Sequence, residues 1–386
     1  MNRDKWTYKT MGEVGSFLRG KSILKSDFVE KGMPCIHYGQ VHTKFGISVD
    51  KHLSEIPDEL YKKSIIASPG DTIIAITSED LDGSCKSTEW MGNCDVAVSA
   101  HAAVYKHNFV PKFIPYYLRS HSFYVEKEKY ARGFKVMEIK PSDIAKIPVP
   151  IPSKETQNFI VSELDAINES ITMLQLQVSD LDILAQSLFY NMFGDPVANP
   201  KSWPIKSMGE VAPCVAFKGT IEPISGKYWL LNLDMVESQT GKILAKNLCD
   251  ASEIGNSTNV FSEENVLYSK LRPYLNKVVL PNEKGYCTSE LLPLLPKKDY
   301  LDRVFLALLL RSNSFVNYIN NRVAGAKMPR VSMNDFRSFN VILPPLSLQK
   351  SFASKMAAIE ETKASLNSQI AEMQKLLASR MQYWFD

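Results

Sequence analysis

The stretch from Ser153 to Phe193 constrains this chain more than any other. It contains neither Pro nor Gly, and apolar residues recur at Ile160, Leu164, Ile167, Ile171, Leu174, Val178, Leu181, Ala185, Leu188 and Met192. Steps that alternate between four and three residues form a heptad seam, the pattern of a left-handed coiled coil rather than of a short globular helix. At the usual rise per residue such a rod is roughly 60 Å long. Its ends are marked. Pro148, Pro150 and Pro152 disfavour helix upstream, Ser153 is a good N-cap, and Gly194 with Asp195-Pro196 stops it.

A seam needs a partner, and the chain carries one. Residues 344–386 repeat the stretch at an offset of 192, so that Pro152 matches Pro344, Gln157 matches Gln349, Ile160 matches Phe352, Ile167 matches Ile359, Leu174 matches Leu366 and Phe193 matches Phe385. Lys363 and Arg380 interrupt the second seam. The first stretch has one base, Lys154, against six acids, a net of −5, whereas the second is +1. The two helices are therefore expected to pack on each other, with Lys363 and Arg380 reaching across to acids.

A chain of 386 residues is too long for one ordinary core. We expect a domain over 1–152, a helix over 153–193, a second domain over 194–343 and a second helix over 344–386. The domains look duplicated. Trp6 to Val14 and Trp203 to Val211 are identical or Ser/Thr-equivalent at seven of nine positions. Leu118-Arg119-Ser120-His121-Ser122-Phe123 matches Leu310-Arg311-Ser312-Asn313-Ser314-Phe315, Gly133 and Lys135 match Gly325 and Lys327, and Asp143 matches Asp335. Between these landmarks the halves diverge: Cys35 to Lys44 reads CIHYGQVHTK where Tyr228 to Glu237 reads YWLLNLDMVE. One scaffold with two different middles suggests two modules that recognise different things.

Each domain reads as mixed α and β. Pro69-Gly70-Asp71 leads into a buried strand ending at Ile76, and Val266 to Ser269 is its counterpart. Asp95 to Tyr105 reads as a strand, and Phe113 to Lys129 and Leu301 to Asn320 as helices. The fold class is α+β: two pseudo-repeated mixed α/β domains joined by two long antiparallel coiled-coil helices.

Apolar content is 45% and charged content 23%, ordinary for a soluble globular protein. MNRDKWTYKT has no signal-peptide core, and the longest apolar run, Val304 to Leu310, is too short to span a bilayer. The six cysteines form no CxxC pair and read as reduced thiols in a cytoplasmic protein. His37 and His42 lack the further ligands that zinc needs. Outside the two helices the net charge is +7, mildly basic, which suits a polyanionic partner.

Gly15 to Ser22 fits the phosphate-cradling pattern GxxxxGK[ST], but only fourteen residues precede it, too few for the strand that such a loop requires, and the second half lacks the pattern. Glu138-Ile139-Lys140 with Asp58 or Asp71 is a chance-level nuclease pattern. No Asn-Pro-Pro-Tyr methyltransferase signature and no nucleophile–base arrangement stands out. The residues give no reason to assign catalysis.

Nucleic-acid contacts are better supported. Tyr268 to Lys277 interleaves bases, aromatics and amides without an acid: Lys270, Arg272, Tyr274, Asn276 and Lys277 are the candidates. Arg and Asn read guanine and adenine edges, while Lys holds phosphates. Lys327 and Arg330 lie in a similar segment, and Arg132 and Lys135 in its counterpart. In the first half, Gln40, His42, Thr43 and Lys44 lie on a polar loop able to reach bases.

In its plan of domain, long helix, domain, long helix, and in the wording of Val266 to Lys277, Gly325 to Val331, Ile151 to Gln157 and Leu343 to Gln349, the chain resembles the DNA-specificity subunit of type I restriction-modification systems. The family often has Glu-Gln where this chain has Thr156-Gln157 and Leu348-Gln349. The resemblance implies a non-catalytic subunit without cofactor. Each target-recognition domain would bind half of a bipartite double-stranded DNA target, with the helices as spacer. Its partners would be two methyltransferase subunits and a restriction (translocase-nuclease) subunit, with no membrane. The alternative is a coiled-coil adaptor without DNA recognition.

Overall fold

The two heptad stretches form the two longest helices, Lys154–Phe193 and Leu346–Phe385, 40 residues each. The computed structural model describes residues 6–133, 135–219, 221–255, 258–324 (at 324 the backbone alone) and 328–386. The Ser153 hydroxyl caps the first helix by accepting from the Thr156 N–H at 3.2 Å. Gly194 closes it at φ +79°, a left-handed conformation that favours glycine, with its N–H on the Tyr190 carbonyl at 2.8 Å.

The chain divides into two compact units, and each takes part of both long helices: residues 1–174 with 369–386, and residues 175–368. Within each unit the helices run antiparallel. In the first, Phe159 meets Trp384 edge-on at 5.9 Å, and one turn further on Glu163 pairs with Arg380 at 2.8 Å. In the second, Phe193 meets Phe352 at 5.2 Å and the earlier Asp182 pairs with Lys363 at 2.8 Å. Both interruptions of the seam therefore reach acids of the other helix, as expected.

The first unit holds a five-stranded sheet in the order Gly15–Arg19, Ala102–His107, Thr72–Ala75, Ser87–Trp90, Ser48–Val49. A four-stranded sheet follows the order Ser54–Ile56, Met33–Ile36, Val96–Val98, Ile65–Ala67. The second unit repeats this with less strand. Its four-stranded sheet runs Leu248–Cys249, Tyr228–Leu231, Gly285–Thr288, Thr258–Phe261, and a three-stranded sheet runs Val278–Val279, Val266–Ser269, Leu291–Leu294. Met33–Ile36 lies parallel to Val96–Val98, just as Tyr228–Leu231 lies parallel to Gly285–Thr288. The divergent middles thus occupy one topological position.

Duplication extends to the anchors that hold the helices. Buried Gln157 accepts from the Val110 N–H at 2.9 Å and donates to the Pro152 carbonyl; buried Gln349 accepts from the Asp302 N–H at 2.8 Å and donates to the Pro344 carbonyl. Phe385 packs on Phe113 at 5.6 Å and Phe193 on Phe305 at 4.7 Å. Each such ring, removed from water, stabilises its unit by roughly 1.5–3 kcal/mol.

Three sequence expectations need correction. Asp95 to Tyr105 is two strands, Val96–Val98 and Ala102–His107, in different sheets, because the chain turns at Ser99, whose carbonyl accepts from the Ala102 N–H. Phe113 to Lys129 is two helices, Phe113–Tyr117 and His121–Glu128, and Leu301 to Asn320 is likewise Arg303–Arg311 and Asn313–Asn320. The duplicated Leu-Arg-Ser makes the break: Ser120 and Ser312 cap the second helix of each pair through the N–H groups of Phe123 and Phe315. Gly15–Arg19, within the phosphate-cradle match, is a strand.

Among the described residues no helix is long and apolar enough to cross a membrane.

Candidate nucleic-acid interface

The phosphate-cradle motif is excluded by its backbone. Gly15–Arg19 pairs along its length with Ala102–His107, the Gly20 N–H donates to the Ala102 carbonyl, and the Lys21 N–H to the Val98 carbonyl. Amides that must converge on phosphate are already bonded within the protein. The metal readings fare no better. His42 Nε2 lies 2.9 Å from the Thr77 carbonyl, His37 Nδ1 accepts from the Gly39 N–H, and Asp71 pairs with Lys106 at 2.6 Å. The described residues contain no group of three potential ligands.

In the second unit, two basic segments far apart in sequence come together. The Arg272 N–H donates to the Pro329 carbonyl at 2.8 Å, the Val331 N–H to the Lys270 carbonyl at 2.9 Å, and Leu271 bridges Arg330. Lys270, Arg272, Tyr274 and Arg330 thus share one surface region. Arg272 and Arg330 are exposed, and Tyr274 is half exposed. Arg272 and Asn276 both adopt left-handed backbone, at φ +49° and +50°, which bends the segment around Pro273–Leu275. Lys327 lies outside the described residues.

Two candidates of this segment serve the fold instead. Asn276 is buried and its amide donates to the Arg311 carbonyl at 2.9 Å, so its side chain is not offered to a base. Lys277 donates to the Leu233 carbonyl at 2.6 Å. Arg311 is half-buried, and its Nε donates to the Val278 carbonyl at 3.1 Å; desolvation pushes its guanidinium down to about 10, still charged at neutral pH. Asn276 and Arg311 together fasten the basic loop from beneath.

The first unit carries the equivalent hairpin with different charges. Arg132 bridges Glu138 as Ala324 bridges Arg330. Glu138, at the place of Arg330, pairs with Arg19 at 2.9 Å. Exposed Arg132 lies 3.6 Å from Asp143, and Lys135 is exposed. The expected polar loop with Gln40, His42, Thr43 and Lys44 is largely a short helix, Tyr38–Thr43. Gln40 accepts from the His37 N–H and donates to Ser54, and Thr43 donates to the Gly39 carbonyl, so these two are partly spent locally. Lys44 is exposed at the end of that helix. Because His42 touches Thr77, and Thr77 pairs with Glu138, the helix and the hairpin adjoin.

Sequence reasoning missed Glu290 and Arg19, and named Glu138 only in a discarded nuclease pattern. Glu290 sits in the turn between Gly285–Thr288 and Leu291–Leu294, where its carboxylate meets both Arg330, at 3.0 Å, and Lys270, at 3.9 Å. No local signal marks it, since its partners lie twenty and forty residues away.

The sequence profile described as the type I restriction modification DNA specificity domain matches the chain twice, over residues 3–179 and 203–374. The type I restriction enzyme EcoDI specificity subunit of Escherichia coli is 21% identical over 287 residues; the match spans 64% of this chain and 64% of that subunit's length. Among solved structures, a chain from work on complex assembly and conformational transition of the type I R-M system superposes with a TM-score of 0.58 at 18% identity, over 98% of this chain and 97% of its own. The type I restriction-modification system S subunit from M. genitalium follows with a TM-score of 0.53 at 11% identity, over 98% and 95%. At these identities the two structures speak for the fold. With the profile covering both duplicated halves, the chain belongs to the type I restriction-modification DNA specificity family.

Proposed function

We propose that this chain is the sequence-reading subunit of a cytoplasmic type I restriction-modification complex. Each domain binds one half of a bipartite double-stranded DNA target. The long helices hold the gap between the halves. Two methyltransferase subunits and a restriction subunit join this chain, which performs no catalysis of its own. The exposed Leu176, Ile183 and Leu184 on the first long helix suit protein partners of this kind.

The observation that carries the reading is the shared hairpin. The same backbone pairing presents Arg330 beside Lys270 and Arg272 in one unit, and Arg132 beside Glu138 in the other. A conserved frame with exchanged charged side chains is what two half-site readers require: backbone that positions, side chains that specify.

The test is selection of bound fragments from a random double-stranded DNA library by the full chain, followed by sequencing. The expected result is a two-part consensus with a fixed unspecified gap, and affinity that falls steeply with salt. A chain that retains DNA weakly, without any consensus and without a salt slope, is an adaptor instead.

A further inference from the structure

Arg330 does not meet Glu290 at random. Its Nε lies 3.3 Å from Glu290 Oε1 and 3.5 Å from Oε2, and its Nη2 lies 3.0 Å from Oε1. The carboxylate therefore grips one side of the guanidinium fork, the side made by Nε and Nη2. Among the described residues Nη1 has no partner, and the arginine side chain is 51% exposed while the glutamate is 23%. The edge formed by Nη1 and the second Nη2 proton is thus left open. That edge is the one that pairs bidentately with O6 and N7 of a guanine in the major groove.

Both partners rest on the same stretch of backbone. The Lys270 N–H donates to the Glu290 carbonyl at 3.0 Å, Val331 donates to the Lys270 carbonyl, and Leu271 bridges Arg330. The pair is therefore held by main chain on both sides, not merely by two flexible side chains meeting at a surface. A free arginine has many rotamers to lose on binding; one already clamped loses fewer and points one way. Lys270 Nζ, 3.9 Å from the same carboxylate, keeps the cluster cationic with Arg272 beside it, so the acid does not repel phosphate.

We infer that Arg330 reads a guanine in the half-site bound by residues 175–368, and that Glu290 is its positioning residue, holding the guanidinium side-on so that its end edge faces the base. The inference rests on the DNA-reading function proposed above. Glu290 makes no contact with DNA in this account. It sets specificity by limiting where Arg330 can go.

The experiment is library selection with the full chain, wild type against Arg330→Ala, Arg330→Lys and Glu290→Gln, on random double-stranded DNA. Arg330→Ala is expected to lower the preference for one G·C pair in one half-site by on the order of tenfold, with the other half-site's consensus unchanged. Arg330→Lys, which cannot form the two-pronged contact, is expected to lose the same preference. Glu290→Gln is expected to weaken that same position several-fold while affinity for unrelated DNA holds or rises, because a tethered cation has been released. The remaining positions of the same half-site's consensus, kept in each variant, report that the mutated unit is folded. If Arg330→Ala weakens all sequences equally and lowers the salt slope by about one, Arg330 is a phosphate contact and the inference is overturned. If Glu290→Gln leaves the consensus as in wild type, the positioning role falls and the DNA reading stands. A wild-type chain that yields no consensus at all removes the reading itself.

Discussion

Replacing Glu89 by Gln should change how the first unit responds to pH. Glu89 lies on Ser87–Trp90 and is completely buried. It belongs to a short chain of hydrogen bonds. The Phe109 N–H donates to His107 Nδ1 at 3.3 Å, which leaves the ring proton on Nε2. Nε2 then donates to the Thr72 hydroxyl at 2.8 Å, and that hydroxyl donates to Glu89 Oε2 at 2.8 Å. Burial pushes the Glu89 carboxyl up to about 8, with the Thr72 bond pulling the other way, and burial pushes His107 down to about 4. Asp71, Lys106, Lys112 and Lys154 are the nearby charges.

The signs follow from linkage. Between the ordinary carboxylate value of 4.5 and about 8, the folded chain keeps a proton on Glu89 that the unfolded chain releases, so stability falls as pH rises. Between about 4 and the ordinary histidine value of 6.5, the unfolded chain binds a proton on His107 that the folded chain refuses, so stability rises with pH. The two oppose each other up to pH 6.5. Above it Glu89 acts alone, and over roughly 1.5 pH units its proton is worth about 2 kcal/mol. Glu89→Gln keeps an acceptor for Thr72 and cannot titrate. Hydrogen exchange of the segment around Ser87–Trp90, corrected for intrinsic rates, should show wild-type protection falling between pH 6.5 and 8 and the variant flat. A variant with the wild-type slope would refute the assignment of that slope to Glu89.

Other substitutions separate the roles assigned above. Phe352→Ala, which empties a site between Phe189 and Phe193, should cost about 3–5 kcal/mol, read as lost protection within residues 175–368 by hydrogen exchange. Asn276→Ala should destabilise the same unit by about 1–3 kcal/mol, by removing the donor that serves the Arg311 carbonyl, and leave the selected DNA consensus unaltered in folded protein. Arg272→Ala should weaken binding to one half-site and leave the preference for the other intact, read by binding to DNAs altered in each half. Lys363→Leu restores an apolar seam at the loss of a partly exposed pair with Asp182, and its thermal midpoint should stay within a few degrees of wild type.

The long helices were legible because a heptad seam is a local, repeated signal, and because an interrupted seam leaves charges that need acids; Lys363 and Arg380 find Asp182 and Glu163. The duplication was legible at its anchors, Gln157 with Gln349 and Phe193 with Phe385, where buried geometry fixes residue type. The matching strands Met33–Ile36 and Tyr228–Leu231 were hidden, since a buried strand accepts many apolar sequences. The breaks at Ser120 and Ser312 were missed because apolar spacing runs through them, whereas a single side-chain cap decides the backbone. Within the candidate site, composition found the bases but could not tell which were spent. Asn276 and Lys277 turn inward to carbonyls, while Arg330 stays out because Glu290, distant in sequence, holds it there.

The most direct test of the central claim is a genome-wide map of DNA methylation in the host, with this chain present and deleted and the methyltransferase proposed as its partner retained. The account predicts that deletion erases one two-part methylated motif and that restoring the chain restores it. An unchanged map, with the methyltransferase shown to be active, would contradict the claim that this chain chooses the sequence.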